Sequence, residues 1–190
     1  MSANDHPIRR PVAVYGVHGD EGRALEPVVR RVLPEGFRVS RVFENGPYVS
    51  TVDPSFHRSE VGARWRRVVE DLRPFDTYVE LHCYRPRAYR KLTAERRSGG
   101  VPGLVDFGAG VLLGSVPRQH KRILGDVLTL TLEVPRRPSD RALRVVSEIL
   151  GLIPGRTRGE FVKELRRRFP EATEEALRRF RSYYPDRDPF

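Results

Sequence analysis

The chain has one cysteine, Cys83, in 190 residues. That excludes an intrachain disulfide framework and fits a reducing compartment. Lysine is nearly missing as well: Lys91, Lys121 and Lys163 are the only ones, so the formal charge of +10 is almost wholly arginine. No stretch approaches the roughly 18 to 20 uncharged apolar residues that a spanning helix needs, so no membrane association is expected. The first ten residues hold Asn4, Asp5, His6, Arg9 and Arg10 without an apolar run, which leaves no secretory signal to read. The expected location is the cytoplasm.

What is present suits a globular domain. Hydrophobic residues make up 38% and charged residues 32%, a balance that can bury a core without resembling a disordered chain. The length supports one α/β domain, expected over 1–155, with a helical C-terminal appendage over 156–190. The arginines are dispersed, with small clusters at Arg9 and Arg10, Arg30 and Arg31, and Arg166 to Arg168. Such a distribution argues less for a nucleic-acid surface than for a positive potential that draws in small anionic substrates.

Hydrophobic periodicity sets the order of elements. Val12 to Val17 reads as a buried strand, and Ala24, Leu25, Val28, Val29, Val32 and Leu33 recur as a helix stopped by Pro34 and Gly36. Arg38 to Phe43 alternates as a second strand. Val61, Trp65, Val68, Val69 and Leu72 mark the apolar stripe of another helix, and Thr77 to His82 the next strand. A long polar connection between Cys83 and Gly103 is of the kind that covers a site. Gly110 to Val116 and Val127 to Val134 read as further strands, followed by a helix opened by Ser139 and closed by Gly151. Two charged amphipathic helices, about 158–169 and 171–184, end the pattern. Strands alternating with helices predict a three-layer α/β fold: a mixed, largely parallel sheet with helices on both faces.

Three segments carry chemistry. In VYGVHGDEG a strand runs into a helix through a turn that bears His18 and Glu21, aiming an imidazole and a carboxylate above the carboxyl edge of the sheet. In TYVELHCY, His82 closes an apolar strand, and Glu80, two residues earlier, shares its face. Two imidazoles and one carboxylate, with a position left for water, make a catalytic zinc arrangement. Glu80 is then a candidate to orient a ligand ring. In TLTLEVP, Glu133 interrupts an apolar strand, where a carboxylate is costly unless it is paired or functional. Its expected role is to take a proton from the attacking water and deliver it to the leaving group. Taken singly, the first segment also fits a plain turn, His82 a satisfied core histidine, and Glu133 a structural ion pair with an arginine.

Together, HGDE (His18 to Glu21), ELH (Glu80 to His82) and LEV (Leu132 to Val134) resemble, in order, the motifs of the zinc carboxypeptidase-like superfamily. The similarity is greatest to its succinylglutamate desuccinylase and aspartoacylase branch and covers about 12–134. It implies one Zn²⁺ held by His18, Glu21 and His82, with Glu133 as general base. The chain also resembles an uncharacterised archaeal family, found largely in methanogens, through Tyr48 to Pro54 and Gly100 to Pro102. The sequence departs from the branch in having Glu80 for an Asp, no counterpart to its β-rich C-terminal part, and no Asn-Arg dipeptide to grip a substrate carboxylate. The resemblance carries that grip to Arg58 in DPSFHR, with Arg64 next.

The leading expectation is a zinc-dependent hydrolase of an amide or peptide bond beside a carboxylate, acting on a small carboxylate-bearing substrate. The alternatives are a metal-binding regulatory protein without turnover and an arginine-rich nucleic-acid-binding protein. Cys83, Tyr84 and Tyr89 read as packing residues. His6 and His120 have no sequence partners that suggest a site, and Ser115 lacks a nucleophile context.

Overall fold

The computed structural model describes residues 10–96, 101–185, 187 and 190. His6, Arg9 and Gly100 lie outside them. Among the described residues the chain forms an α/β fold around one six-stranded sheet with seven α-helices. Strand β1 (Pro11–Tyr15) is wholly buried and leads into helix α1 (Glu21–Val32). Pro27 sits in the second turn of α1, where the backbone N–H it lacks would otherwise bond to the carbonyl of Arg23. Strand β2 (Arg38–Arg41) is exposed at the sheet edge and ends two residues before the predicted Phe43. Val42 and Phe43 instead turn inward, their amides bonding to the carbonyls of Tyr15 and Gly16.

Helix α2 (Glu60–Asp71) is capped by the Ser59 side chain on the Gly62 amide. Strand β3 (Thr77–Tyr84) comes next. The polar connection after it holds a 3-10 turn, Pro86–Ala88, and the short helix α3 (Tyr89–Thr93). Strands β4 (Val105–Asp106) and β5 (Leu112–Gly114) form an antiparallel hairpin where periodicity predicts one strand over 110–116. Gly108 at φ +118°, Ala109 at +54° and Gly110 at +78° reverse the chain there.

Helix α4 (Arg118–Leu124) leaves no periodic signature in the sequence, because RQHKRIL is short and mostly polar. Strand β6 (Leu128–Pro135) and helix α5 (Asp140–Gly151), capped by Ser139, lie close to the predicted bounds. Helix α6 (Arg158–Arg168) opens with a capping box between Thr157 and Glu160, and α7 (Pro170–Tyr183) opens on a proline.

The sheet order is β2-β1-β3-β6-β5-β4, parallel through β6 and antiparallel beyond it. Leu25 and Val29 of α1, Val146 and Ile149 of α5, and Phe161, Leu177 and Phe180 of the last two helices share one core with Ala13, Leu81 and Leu130. On the other face, Trp65 and Val69 of α2 and Leu124 of α4 pack with Val12, Val14 and Tyr78. The chain leaves β1 toward β2 on one side and returns to β3 on the other. The carboxyl ends of β1 and β3 therefore flank a topological switch point, where open α/β sheets hold their sites. No helix of the described residues is long and apolar enough to cross a membrane.

Candidate metal centre

Side chains alternate across a sheet, so each central strand offers one face to each layer. On β6, Leu128, Leu130, Leu132 and Val134 all enter the core beneath α1 and α5. Their neighbours Thr129, Thr131 and Glu133 point the other way. On β3 that same opposite face carries Tyr78, Glu80 and His82, aligned in register with those three. Thus a polar stripe is buried beneath α2 and α4. Such groups are costly there unless they are satisfied by partners or ligands.

At the switch point the stripe meets the β1–α1 turn. Gly16 takes φ +66°, and an added Cβ would lie 2.4 Å from the carbonyl oxygen of Phe43, so only glycine lets the turn seat against that loop. The turn brings His18 and Glu21 over the end of β3. Glu21 Oε2 lies 3.1 Å from His82 Nδ1 and 3.6 Å from His18 Nδ1. The three residues are buried, and their ligand atoms all lie within 4.8 Å of one another. Ligands of a tetrahedral ion bound at about 2.0–2.1 Å stand about 3.3–3.4 Å apart, so the two shorter separations bracket that spacing. His18 Nδ1 is buried without a hydrogen-bond partner, as a nitrogen reserved for a cation would be. Among the described residues this is the one group of three or more His, Cys, Asp or Glu side chains so placed.

The electrostatics agree. Burial lowers the pKa of His18, keeping its ring neutral and its lone pair available. Burial also works against a charge on His82, but Glu21 and Glu80 outweigh it and hold this imidazole well above its ordinary value. In the metal-free protein a proton on His82 thus balances the acids around it.

Glu133 stands across from His82 in the register of β3 and β6. Burial raises its pKa to about 7, with Glu21 and Glu80 adding to the rise and His82 opposing it. It lines a cleft of about 400 Å³ together with His18, Glu21, Tyr48 and Cys83. Burial pushes the Cys83 thiol up to about 12, so it stays a neutral thiol. Tyr48, 72% exposed, sets its ring edge-on to His18 at 4.7 Å.

Arg85, Arg87 and Arg136 supply the cationic wall of this cleft. Arg136 donates through both terminal nitrogens to Asp20, one bond being 2.8 Å. Arg58 and Arg64, to which the resemblance carries the grip, are exposed and do not line the cleft; the Arg64 guanidinium lies over the Phe43 ring at 4.6 Å. The cleft arginines come directly after the ends of β3 and β6, a position that could have singled them out in the sequence.

Glu80 lies beneath the cluster of His18, Glu21 and His82 and is fully buried. One of its oxygens accepts from Trp65 Nε1 at 2.9 Å and Tyr78 OH at 2.8 Å. The other lies 3.4 Å from His82 Nε2 and 3.6 Å from His120 Nδ1. Burial alone would raise its pKa, but His120 and His82 overcome this and hold it well below the usual carboxylate range. The sequence gives no sign of His120, because its partner Glu80 is distant along the chain and on another element.

The family model described as "Uncharacterized protein conserved in archaea (DUF2119)" matches residues 4–185. An uncharacterized protein of Methanocaldococcus jannaschii is 29% identical, the match covering 86% of this chain and 85% of that protein.

Proposed function

This chain belongs to the archaeal DUF2119 family, and we propose that it is a zinc-dependent hydrolase of an amide or peptide bond adjacent to a carboxylate. The observation that carries this reading is the convergence of His18, Glu21 and His82 at the switch point, beside a carboxylate of raised pKa. The order of these motifs supports a place near the zinc carboxypeptidase-like superfamily. The mixture of two neutral-nitrogen donors and one carboxylate suits zinc better than magnesium or calcium, which prefer all-oxygen sets.

When bound, zinc would supply Lewis acidity, polarising a carbonyl and acidifying water. Glu133, with its pKa about 7, would accept the proton of the attacking water and hand it to the departing amine, a cycle favoured by a midpoint near neutrality. Glu80 would fix the ring of His82 from beneath. Arg85 and Arg87 would receive the substrate carboxylate, while Arg136 is engaged with Asp20. The resemblance assigns that last role to Arg58 and Arg64; we favour the arginines that line the cleft.

Purified protein is expected to contain close to one zinc and to cleave a member of a panel of N-acyl amino acids and small peptides. Metal-dependent binding of the panel without cleavage would favour a regulatory protein. Metal-free protein from a zinc-replete preparation would sink both. The nucleic-acid reading gains no support from the last helices, where Arg166, Arg167, Arg168, Arg178 and Arg179 each pair with a glutamate.

A further inference from the structure

Two histidines beneath the ion site have no part in that reaction. His57 and His120 present four ring nitrogens that are buried and make no hydrogen bond. Unsatisfied polar atoms are costly, so packing alone would favour apolar rings at both positions. His120 stacks on Trp65 with ring centres 4.2 Å apart and planes at 24°. His57 sets its ring edge-on to both, 5.0 Å from His120 and 5.4 Å from Trp65. Burial and the nearby His120 lower the pKa of His57 to about 4, so it closes the cluster as a neutral ring.

The carboxylate facing His120 is that of Glu80. Two donors fixed in the core, Trp65 and Tyr78, hold its Oε1. Its Oε2 sits between two imidazoles, His82 of the ion site at 3.4 Å and His120 of α4 at 3.6 Å. Both distances are within ion-pair range and longer than the roughly 2.7–2.9 Å of a charge-assisted hydrogen bond, so either ring can close on that oxygen. A terminal carboxylate torsion is broad, so contacts on both oxygens fix its rotation more tightly than contacts on one.

We infer that His120 is a positioning residue for the ion site, steadying Glu80 so that His82 keeps Nε2–H toward the carboxylate and Nδ1 toward the cation. The inference rests on the reading of His82 as an ion ligand. A ligating imidazole needs its lone pair on the nitrogen that faces the ion, and the partner of the other nitrogen decides which tautomer that is. Glu80 is that partner, and His120 holds it from the side that Trp65 and Tyr78 leave open. Helix α4 thereby reaches the ion through one carboxylate, although none of its residues lines the cleft.

The test compares two variants of the full chain. His120→Phe keeps a ring against Trp65 and removes both nitrogens, whereas His120→Asn returns an amide donor near the place of Nδ1. Chelator competition should find zinc bound about 10- to 100-fold more weakly by His120→Phe, with most of the affinity restored in His120→Asn. The visible bands of the cobalt-substituted protein should shift in the first variant and return in the second. Equal losses in both, or a folded His120→Phe with unchanged affinity and bands, would overturn the inference. If His120→Phe does not fold, His120→Gln replaces it, its amide falling near Nε2 instead.

Should the wild type bind no zinc, the ion-site reading fails, and the positioning claim is decided on metal-free protein. Nitrogen NMR of the His82 ring at alkaline pH should find a larger share of the proton on Nε2 in wild type and His120→Asn than in His120→Phe, where Glu21, 3.1 Å from Nδ1, draws it to that nitrogen. The same tautomer in all three would refute the claim.

Discussion

His82 on β3 stands directly across from Glu133 on β6. Because the two strands are parallel neighbours in this register, both side chains turn to the α2 and α4 face, while Leu81 and Leu132 turn to the other. The pleat itself thus sets an imidazole beside a carboxylate, and a loop need only deliver His18 and Glu21 to complete the set.

Glu133→Gln keeps the shape of that carboxylate and removes its ability to take a proton. Turnover is expected to fall by about 10²- to 10⁴-fold, with zinc content unchanged, because Glu133 lies outside the group of converging ligand atoms. Metal analysis of the purified variant beside its rate decides this. Loss of zinc together with activity would make Glu133 a ligand instead of a base.

Zinc binding should release protons. In the metal-free protein Glu21 and Glu80 overcome the effect of burial and keep His82 protonated at neutral pH. A cation at Nδ1 must displace that proton, so below the raised His82 pKa the apparent affinity should climb about tenfold per pH unit and then level off. Calorimetry at pH 7 in two buffers of different ionisation enthalpy counts the protons. A count of zero would mean that His82 does not exchange its proton for the metal.

Much of this site is legible because its residues sit where periodicity breaks. His18 comes after an apolar strand, and Glu133 interrupts one, so each stands out as a polar residue at a strand end or within an apolar run. Glu80 is legible through its even spacing from His82. The contribution of α4 is not, because RQHKRIL shows no apolar stripe and is made helical by the core that Leu124 joins. The β4–β5 hairpin is hidden for a related reason: three consecutive positive φ angles at 108–110 turn the chain, and one of them falls on an alanine. The resemblance carries an arginine grip to Arg58, whereas the cleft wall is built by Arg85, Arg87 and Arg136, just beyond the carboxyl ends of β3 and β6.

Gly22 couples the β1–α1 turn, which bears His18 and Glu21, to its neighbouring loop. A Cβ there would lie 1.8 Å from the carbonyl oxygen of Phe43 and 2.9 Å from Glu44 Cα, backbone atoms that cannot swing aside. The Arg23 amide bonds to the Glu44 carbonyl at 3.0 Å, locking the two segments together. Gly22→Ala is therefore expected to cost about 1–3 kcal/mol in urea unfolding and to weaken zinc binding by displacing Glu21. Gly151→Ala, where nothing lies within 4 Å, should leave both unchanged or improve stability slightly. Equal behaviour of the two variants would contradict the coupling.

Lys121 predicts a pH dependence of stability. Burial lowers its pKa to about 7, with Arg158 and Arg187 adding to the effect. Among the described residues its ammonium meets Thr129 Oγ1 at 2.6 Å and the rings of Phe180 and Tyr184, while Asp126 opposes the shift. Between about 7 and the ordinary lysine value near 10.4 the unfolded chain holds this proton and the folded chain does not, so stability rises with pH, by at most about 1.4 kcal/mol per unit. Lys121→Met should accordingly be more stable than wild type at pH 7, and its advantage should shrink at pH 9. An advantage constant across that window would show that Lys121 keeps its charge when folded.

The last prediction separates two sets of arginines. Arg85 and Arg87 line the cleft beside Glu133, whereas Arg58 is exposed on a 3-10 turn and Arg64 lies over Phe43. A charge-assisted hydrogen bond to a carboxylate contributes about 1.5–3 kcal/mol. Removing one should therefore raise KM by about 10- to 100-fold with little change in kcat, since the grip acts alike in the ground state and the transition state. Arg85→Ala and Arg87→Ala are expected to behave in this way, and Arg58→Ala and Arg64→Ala to stay near wild type. The converse pattern would place the substrate carboxylate on the α2 side of the ion. Arg136→Ala is a weaker probe of the same question: its guanidinium is joined to Asp20, the residue before the proposed ligand Glu21, so its loss would disturb metal and substrate together.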